Sequence, residues 1–243
     1  MRSITELQRI VDSATVAKTV FELRPDYLAL LIAVDGITPS PSDSSSDQHL
    51  QTAELAAKAR VSTSTVVTEI PAIKAWRDTY KSFGAKPKKY QSSIEALTRR
   101  AVAGGGLPRV NRLTDIYNSV SVQCNVCVGG EDLDAYIGFP RLMRATGDEK
   151  FETKAGDEKP EKGEVVWCDE GGVTCRNWNW RQCVRTQLKE DTGAALFILD
   201  ALSPIDRGLL EVAGEELVKR LREGSEGLVV AKRVIGVEDG VDA

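Results

Sequence analysis

Cys175-Arg176-Asn177-Trp178-Asn179-Trp180-Arg181-Gln182-Cys183-Val184-Arg185 holds two of the chain's four tryptophans, three arginines and two asparagines, and no acidic side chain. As part of a strand predicted over 173–184, it sends Trp178 and Trp180 to one side and Asn177, Asn179 and Arg181 to the other, because successive side chains alternate. One face then packs. The other offers hydrogen-bonding groups suited to a polar, anionic ligand.

Working outward, the second half of the chain reads as strand-rich, with short apolar or alternating runs at 135–139, 142–146, 164–168 and 195–201 between Gly- and charge-rich turns. Upstream, 27–37 is strongly apolar and ends in Asp35-Gly36, which fits a central strand followed by a turn. Between these runs lie helices. Residues 49–60 are Ala-rich, and 73–83 form a second helix stopped by Gly84. Ser92 and Glu95 form a capping box for a third, with Ile94, Leu97, Ala101 and Val102 as its inner stripe and Gly104-Gly105-Gly106 as its stop. Leu113, Ile116, Tyr117 and Val120 recur at helical spacing. Ser203-Pro204-Ile205-Asp206 opens a final helix through Arg222, with Leu209, Leu210, Ala213, Leu217 and Leu221 inward. Residues 38–48 read as a mobile loop, and 147–163 as a charged loop without core content.

The pattern is α+β, with layered mixed β-sheets flanked by helices and no internal repeat. We divide it into an N-terminal strand-loop-helix portion, 1–65, a main domain, 66–230, and a C-terminal tail, 231–243.

With 243 residues, 42% hydrophobic, the chain can bury a substantial core. No apolar run reaches the ~18 residues of a membrane span, and the N-terminus lacks a secretory pattern, so a cytoplasmic protein without membrane contact is expected. Five cysteines, an odd number, argue against a disulfide framework. Cys124 and Cys127 form a Cys-x-x-Cys pair, but the spacings to Cys168, Cys175 and Cys183 are wrong for a zinc knuckle and the single histidine, His49, is remote. Buried or incidental thiols are the expectation, with no metal and no cofactor.

A net charge of −4 disfavours a nucleic-acid binder, and DNA is not expected, yet Lys74, Arg77, Lys81, Lys86, Lys88, Lys89, Arg99 and Arg100 crowd into one segment against Asp78 and Glu95. Such segregation gives either a local positive field able to hold a phosphate backbone or an ordinary solvated helix face.

Asn111-Arg112-Leu113-Thr114-Asp115-Ile116-Tyr117-Asn118-Ser119-Val120, followed by Gly129-Gly130-Glu131-Asp132-Leu133-Asp134, resembles the editing module of the bacterial phenylalanyl-tRNA synthetase beta subunit, the B3/B4 domain. That module's Asn, Asp, Asn and final Asp are met by Asn111, Asp115, Asn118 and Asp132. The match is closer to stand-alone proteins of the family, whose loop reads Val-Gly-Gly-Glu-Asp-Leu-Asp and whose later strand carries Arg-Trp-Asn-Trp-Arg-Gln. It covers about 70–222. Where the synthetase loop has histidine and alanine this chain has Gly129 and Gly130, and Cys127 replaces a proline, so tyrosine specificity does not carry over. The aminoacylation machinery is missing.

The resemblance implies a B3/B4-like fold that binds an aminoacyl-tRNA at its 3′ end and hydrolyses a mischarged ester through a positioned water, without a nucleophilic triad. On this basis Asn118, Glu131 and Asp132 are the candidate catalytic residues, with Glu131 and Asp132 holding the substrate ammonium or the water. Asn111 and the Gly129-Gly130 backbone are expected to line the pocket. Asn177, Asn179, Arg181 and Arg185 are expected at the ribose and terminal phosphates, and Trp178 and Trp180 under the terminal adenine. Plainer readings stand beside these. Asn111 and Asn118 suit a helix cap and a turn-facing polar group, Asp115 a dipole partner, the tryptophans a core, and Gly129-Gly130 a tight turn. A non-catalytic RNA or amino-acid binding module, or a small-molecule hydrolase using the same pocket, are the alternatives to a deacylase.

Overall fold

The computed structural model describes residues 1–61 and 65–242. Residues 62–64, at the expected joint between the first two portions, lie outside the described residues, as does 243. The helices are α1 (Ile4–Asp12), α2 (Lys18–Leu23), α3 (Ser44–Arg60), α4 (Pro71–Ser82), α5 (Ser93–Val102), α6 (Arg112–Cys124) and α7 (Arg207–Arg222). The strands are β1 (Thr15–Val16), β2 (Leu28–Asp35), β3 (Cys127–Asp132), β4 (Arg141–Arg144), β5 (Phe151–Thr153), β6 (Gly156–Glu158), β7 (Val165–Asp169), β8 (Gly172–Arg176), β9 (Arg181–Gln182), β10 (Ala194–Ala201) and β11 (Val229–Ile235).

Two sheets carry the fold. One has the order β11-β2-β10-β3 with every pairing antiparallel, and the other runs β1-β4-β7-β8-β9 with only β1 and β4 parallel. β2 is apolar along its length because it is central and both its faces are covered. Its Ala29, Leu31 and Ala33 join Leu196 and Ile198 of β10 in a core against Leu142, Val165 and Trp167 of the second sheet. Its Leu30, Ile32 and Val34 turn the other way, to a core shared with Ile116 and Val120 of α6 and Leu210 and Leu217 of α7. Layered sheets flanked by helices, an α+β fold, are thus what the chain builds. Among the described residues no helix is long and apolar enough to cross a membrane.

Several expectations need correction. Residues 135–139 form no strand; a single tight helical turn, Leu133–Ala135, leads into a loop. The charged segment 147–163 contains the β5–β6 hairpin, and its Phe151 is fully buried against Val166, Val173 and Cys183 on the far side of the second sheet. α7 starts at Asp206, whose side chain accepts from the Leu209 N–H at 2.9 Å, so Ser203 and Pro204 precede the helix rather than open it. Leu209 points outward, half exposed. At α5, Ser92 caps the Glu95 N–H at 3.4 Å, but the Glu95 carboxylate goes to Arg77 at 2.7 Å and Arg99 at 2.9 Å instead of closing the box. α3 reaches back to Ser44, into the expected loop. Residues 231–235, placed by sequence in a tail, lie in β11.

Candidate functional site

α6 begins at Asn111, whose side chain accepts from the Thr114 N–H at 2.8 Å and so satisfies one of the amides a helix start leaves open. Asp115, fully buried, accepts from the Val110 N–H at 2.9 Å and the Ser46 hydroxyl at 3.2 Å. These two polar residues fix the start of the helix. Asn118, farther along the same helix, projects into a cavity, and its side-chain amide has no hydrogen bond among the described residues.

The opposing residues come from β3. Gly129-Gly130 is strand and not a turn, held in register with Ile198 and Phe197 of β10. The two glycines serve different needs. A Cβ at Gly130 would stand 2.8 Å from Leu188 and 2.9 Å from Phe197, whereas one at Gly129 would meet nothing within 4 Å. Gly129 therefore leaves open space on the cavity side, and Gly130 permits close packing behind it. The Gly130 carbonyl accepts from Gln182 Nε2 at 2.7 Å, which ties β3 to the second sheet.

Glu131 is buried and accepts a short hydrogen bond from the Tyr136 hydroxyl. Burial pushes its carboxyl up to about 7, opposed by hydrogen bonds that favour the charged form. Asp200, at the other end of the same sheet face, accepts from the Tyr27 hydroxyl at 2.6 Å and from Trp167 Nε1 at 3.4 Å. Burial raises it likewise to about 7.

The 175–185 stretch does not continue as a strand. β8 ends at Arg176, and Asn177 (φ 45°) and Trp178 (φ 68°) adopt left-handed conformations that reverse the chain before β9. Arg176 holds the turn from outside through a two-pronged bond to Glu164 at 3.0 and 2.8 Å, and Glu164 also accepts the Asn177 N–H at 2.9 Å. The expected alternation is thereby lost. Trp178 is driven fully inward, edge-on to Tyr27 and Trp76 at 4.9 and 5.3 Å between ring centres. Trp180 stays at the rim, edge-on to Tyr90 at 4.6 Å and beneath Arg181 at 5.9 Å.

Asn118, Gly129 and Glu131 thus meet Trp178, Asn179, Trp180 and Arg181 around one cavity of about 230 Å³. The remaining expected residues lie outside its lining. Asn111 is the α6 cap. Asp132 is engaged by the Asp134 N–H at 2.9 Å and the Thr192 hydroxyl at 3.0 Å. Gly130 faces Phe197. Asn177 belongs to the turn's outer side. Arg185 is occupied by Asp169 at 2.7 Å and the Ala135 carbonyl at 2.6 Å, so it has no free fork for a phosphate. Trp178 walls the cavity from inside the core and cannot receive a stacked base.

Sequence reasoning missed Asp200 and Ser93, and read Arg100 only as part of a basic segment, either a phosphate-holding field or a solvated helix face. Asp200 is the lone carboxylate inside the apolar run 194–202, and its place there with no turn residue beside it was the available signal. Ser93 starts α5, and its hydroxyl is buried without a hydrogen-bond partner among the described residues. Arg100 is exposed at the rim and forms no ion pair among the described residues. Arg181 pairs only loosely there, at 3.4 Å from Glu158. Burial pushes the Cys175 thiol, also in the wall, well above its usual value, so it stays protonated. His49 lies elsewhere, 2.9 Å from Glu223. The arrangement can hold a cation at its carboxyls, bind polar atoms at Asn118 and present guanidinium groups at its mouth. Among the described residues it presents no activated nucleophile.

The B3/4 domain model matches residues 75–222. Among solved structures, the chain is similar to an N-terminal fragment of the phenylalanyl-tRNA synthetase beta-subunit from Pyrococcus horikoshii, at 13% identity and a TM-score of 0.45, over 90% of this chain and 50% of that one. The chain thus spans half the length of that fragment. No curated protein matches it.

Proposed function

The chain belongs to the B3/4 domain family, and from that premise we propose that its cavity receives the aminoacyl end of a charged tRNA and hydrolyses the ester of a mischarged amino acid in trans. One observation carries the reading. The two sequence stretches that most resemble the family's editing module face each other across a single cavity with cationic side chains at its rim.

In this reading Glu131 holds the α-ammonium, because a buried carboxyl with no cation beside it is ionised most favourably by the ligand's own charge. The Asn118 amide, which has no hydrogen bond among the described residues, orients the ester and the attacking water. Arg100 and Arg181 meet the terminal phosphates, and Trp180 offers the exposed part of its ring to the last base. Catalysis then comes from orientation and from expulsion of bulk water rather than from a nucleophile.

Release of amino acid from a panel of mischarged tRNAs tests this. Asn118→Ala should slow release at least ~100-fold and Glu131→Ala should weaken binding of the charged tRNA. The absence of an activated nucleophile among the described residues favours a second reading, a binding module without chemistry. Tight binding of charged tRNA with no release from any of them would decide for it.

A further inference from the structure

The cavity interior and its mouth carry opposite charge. Glu131 and Asp200 are both in the interior lining, and the guanidinium groups of Arg100 and Arg181 stand outside at the rim. No Lys or Arg is among the groups that set the ionisation of either carboxyl.

Asp200 is not needed by the reaction described above. Its Oδ1 takes both protein donors, Tyr27 and Trp167, while Oδ2 accepts no hydrogen bond among the described residues. The neighbouring Asn179 accepts a hydrogen bond from the Tyr80 hydroxyl at its Oδ1, at 2.9 Å. Its Nδ2 is left buried without a hydrogen bond of normal geometry, although the amide is close enough to Asp200 to favour the charged carboxylate. The surrounding wall is apolar, formed by Trp167, Trp178, Ile198 and the protonated Cys175. A carboxyl with a free oxygen in such a wall is costly unless something donates to it.

The spacing of the two acids is set by the sheet. Glu131 pairs with Leu196, and Asp200 lies four residues farther along β10 on the same face. That separates their backbones by on the order of 14 Å at ~3.4 Å per residue. An extended amino acid with an ammonium at each end, plus a charge-assisted hydrogen bond of about 2.8 Å at either side, covers a comparable span.

We propose that the cavity selects aminoacyl groups whose side chain ends in an ammonium, with the α-ammonium at Glu131 and the side-chain ammonium at Asp200. The inference rests on the deacylase reading, and it names the class of amino acid that this pocket removes. Gly129 matters here too, since the missing side chain leaves the path between the two carboxyls clear.

The experiment uses the full chain and one tRNA acylated in turn with lysine, ornithine, norleucine or tyrosine, each rate corrected for uncatalysed hydrolysis. Lysyl or ornithyl ester should be released at least ~10-fold faster than norleucyl, which has a comparable reach but no donor. Asp200→Asn should erase that gap. Norleucyl or tyrosyl release as fast as lysyl would overturn the inference and leave the deacylase reading standing, as would an Asp200→Asn variant that folds and keeps the preference. Should that variant not fold, the wild-type ratio decides alone. Release from none of the four, with none from a wider panel, would sink the reading and the inference together.

Discussion

β3 and the turn at 177–180 build facing walls of one cavity by opposite means. β3 contributes by leaving a side chain out: its backbone is ordinary strand, paired along its length with β10, and the space in front of Gly129 belongs to whatever the cavity holds. The turn contributes by bending: two residues in left-handed conformations press one indole into the core and leave the next at the rim. Removing side-chain volume from the second wall should therefore damage the fold, and adding volume to the first at Gly129 should damage only occupancy.

The largest expected effect follows from the bent wall. Trp178→Ala removes a fully buried indole packed against Tyr27 and Trp76, and should cost about 3–5 kcal/mol in denaturant unfolding. A loss below about 1 kcal/mol would mean that the turn is not anchored by this ring.

Acidity provides the next contrast, because Glu131 stands on β3 and Asp200 on its neighbour β10. Burial holds both carboxyls up at about 7 in the folded state. A carboxyl raised on folding contributes stability that is full below its unfolded value near 4 and is lost as the pH rises through about 7. The unfolding free energy of the empty protein should fall between about pH 4 and pH 7, by on the order of 3 kcal/mol per carboxyl, and the melting temperature should fall with it. Glu131→Gln should remove about half of that fall, leaving the Asp200 contribution. A wild-type profile that rises over the same interval would contradict the assignment.

For the open wall, Gly129→Leu should reduce aminoacyl-ester release at least ~100-fold, with little change in the melting temperature, since its Cβ meets nothing within 4 Å. Melting and release falling together would show that Gly129 serves packing instead. The smallest effect is at the rim. Arg181→Ala should weaken tRNA binding modestly and lower the salt slope by about one, the signature of a single phosphate contact, and an unchanged slope would remove Arg181 from the binding path.

The same contrast explains what could be read from residues alone. α6 was legible because its signals are local: a capping asparagine and apolar residues at spacings of three and four. The convergence of Asn118, Glu131, Asn179 and Arg181 followed from resemblance to a known module, not from periodicity. β3 was hidden because two adjacent glycines argue against a strand, and pairing with β10 overrides that preference. The turn was hidden because a tryptophan at positive φ is rare enough that no pattern anticipates it. Phe151, a lone aromatic in a charged segment, carries no period that could announce its burial. Arg185 looked free because its partner Asp169 is brought to it only by tertiary packing.

β2 sits in the middle of its sheet, hydrogen-bonded on one side to β10 and on the other to β11, while the family match begins forty residues after β2 ends and stops before β11 starts. A fragment cut at the family's own limits would therefore lack the central rib of the sheet and the tyrosine that donates to Asp200. What a sequence comparison delimits as a domain is, in this molecule, not a unit that can be excised with its pocket intact.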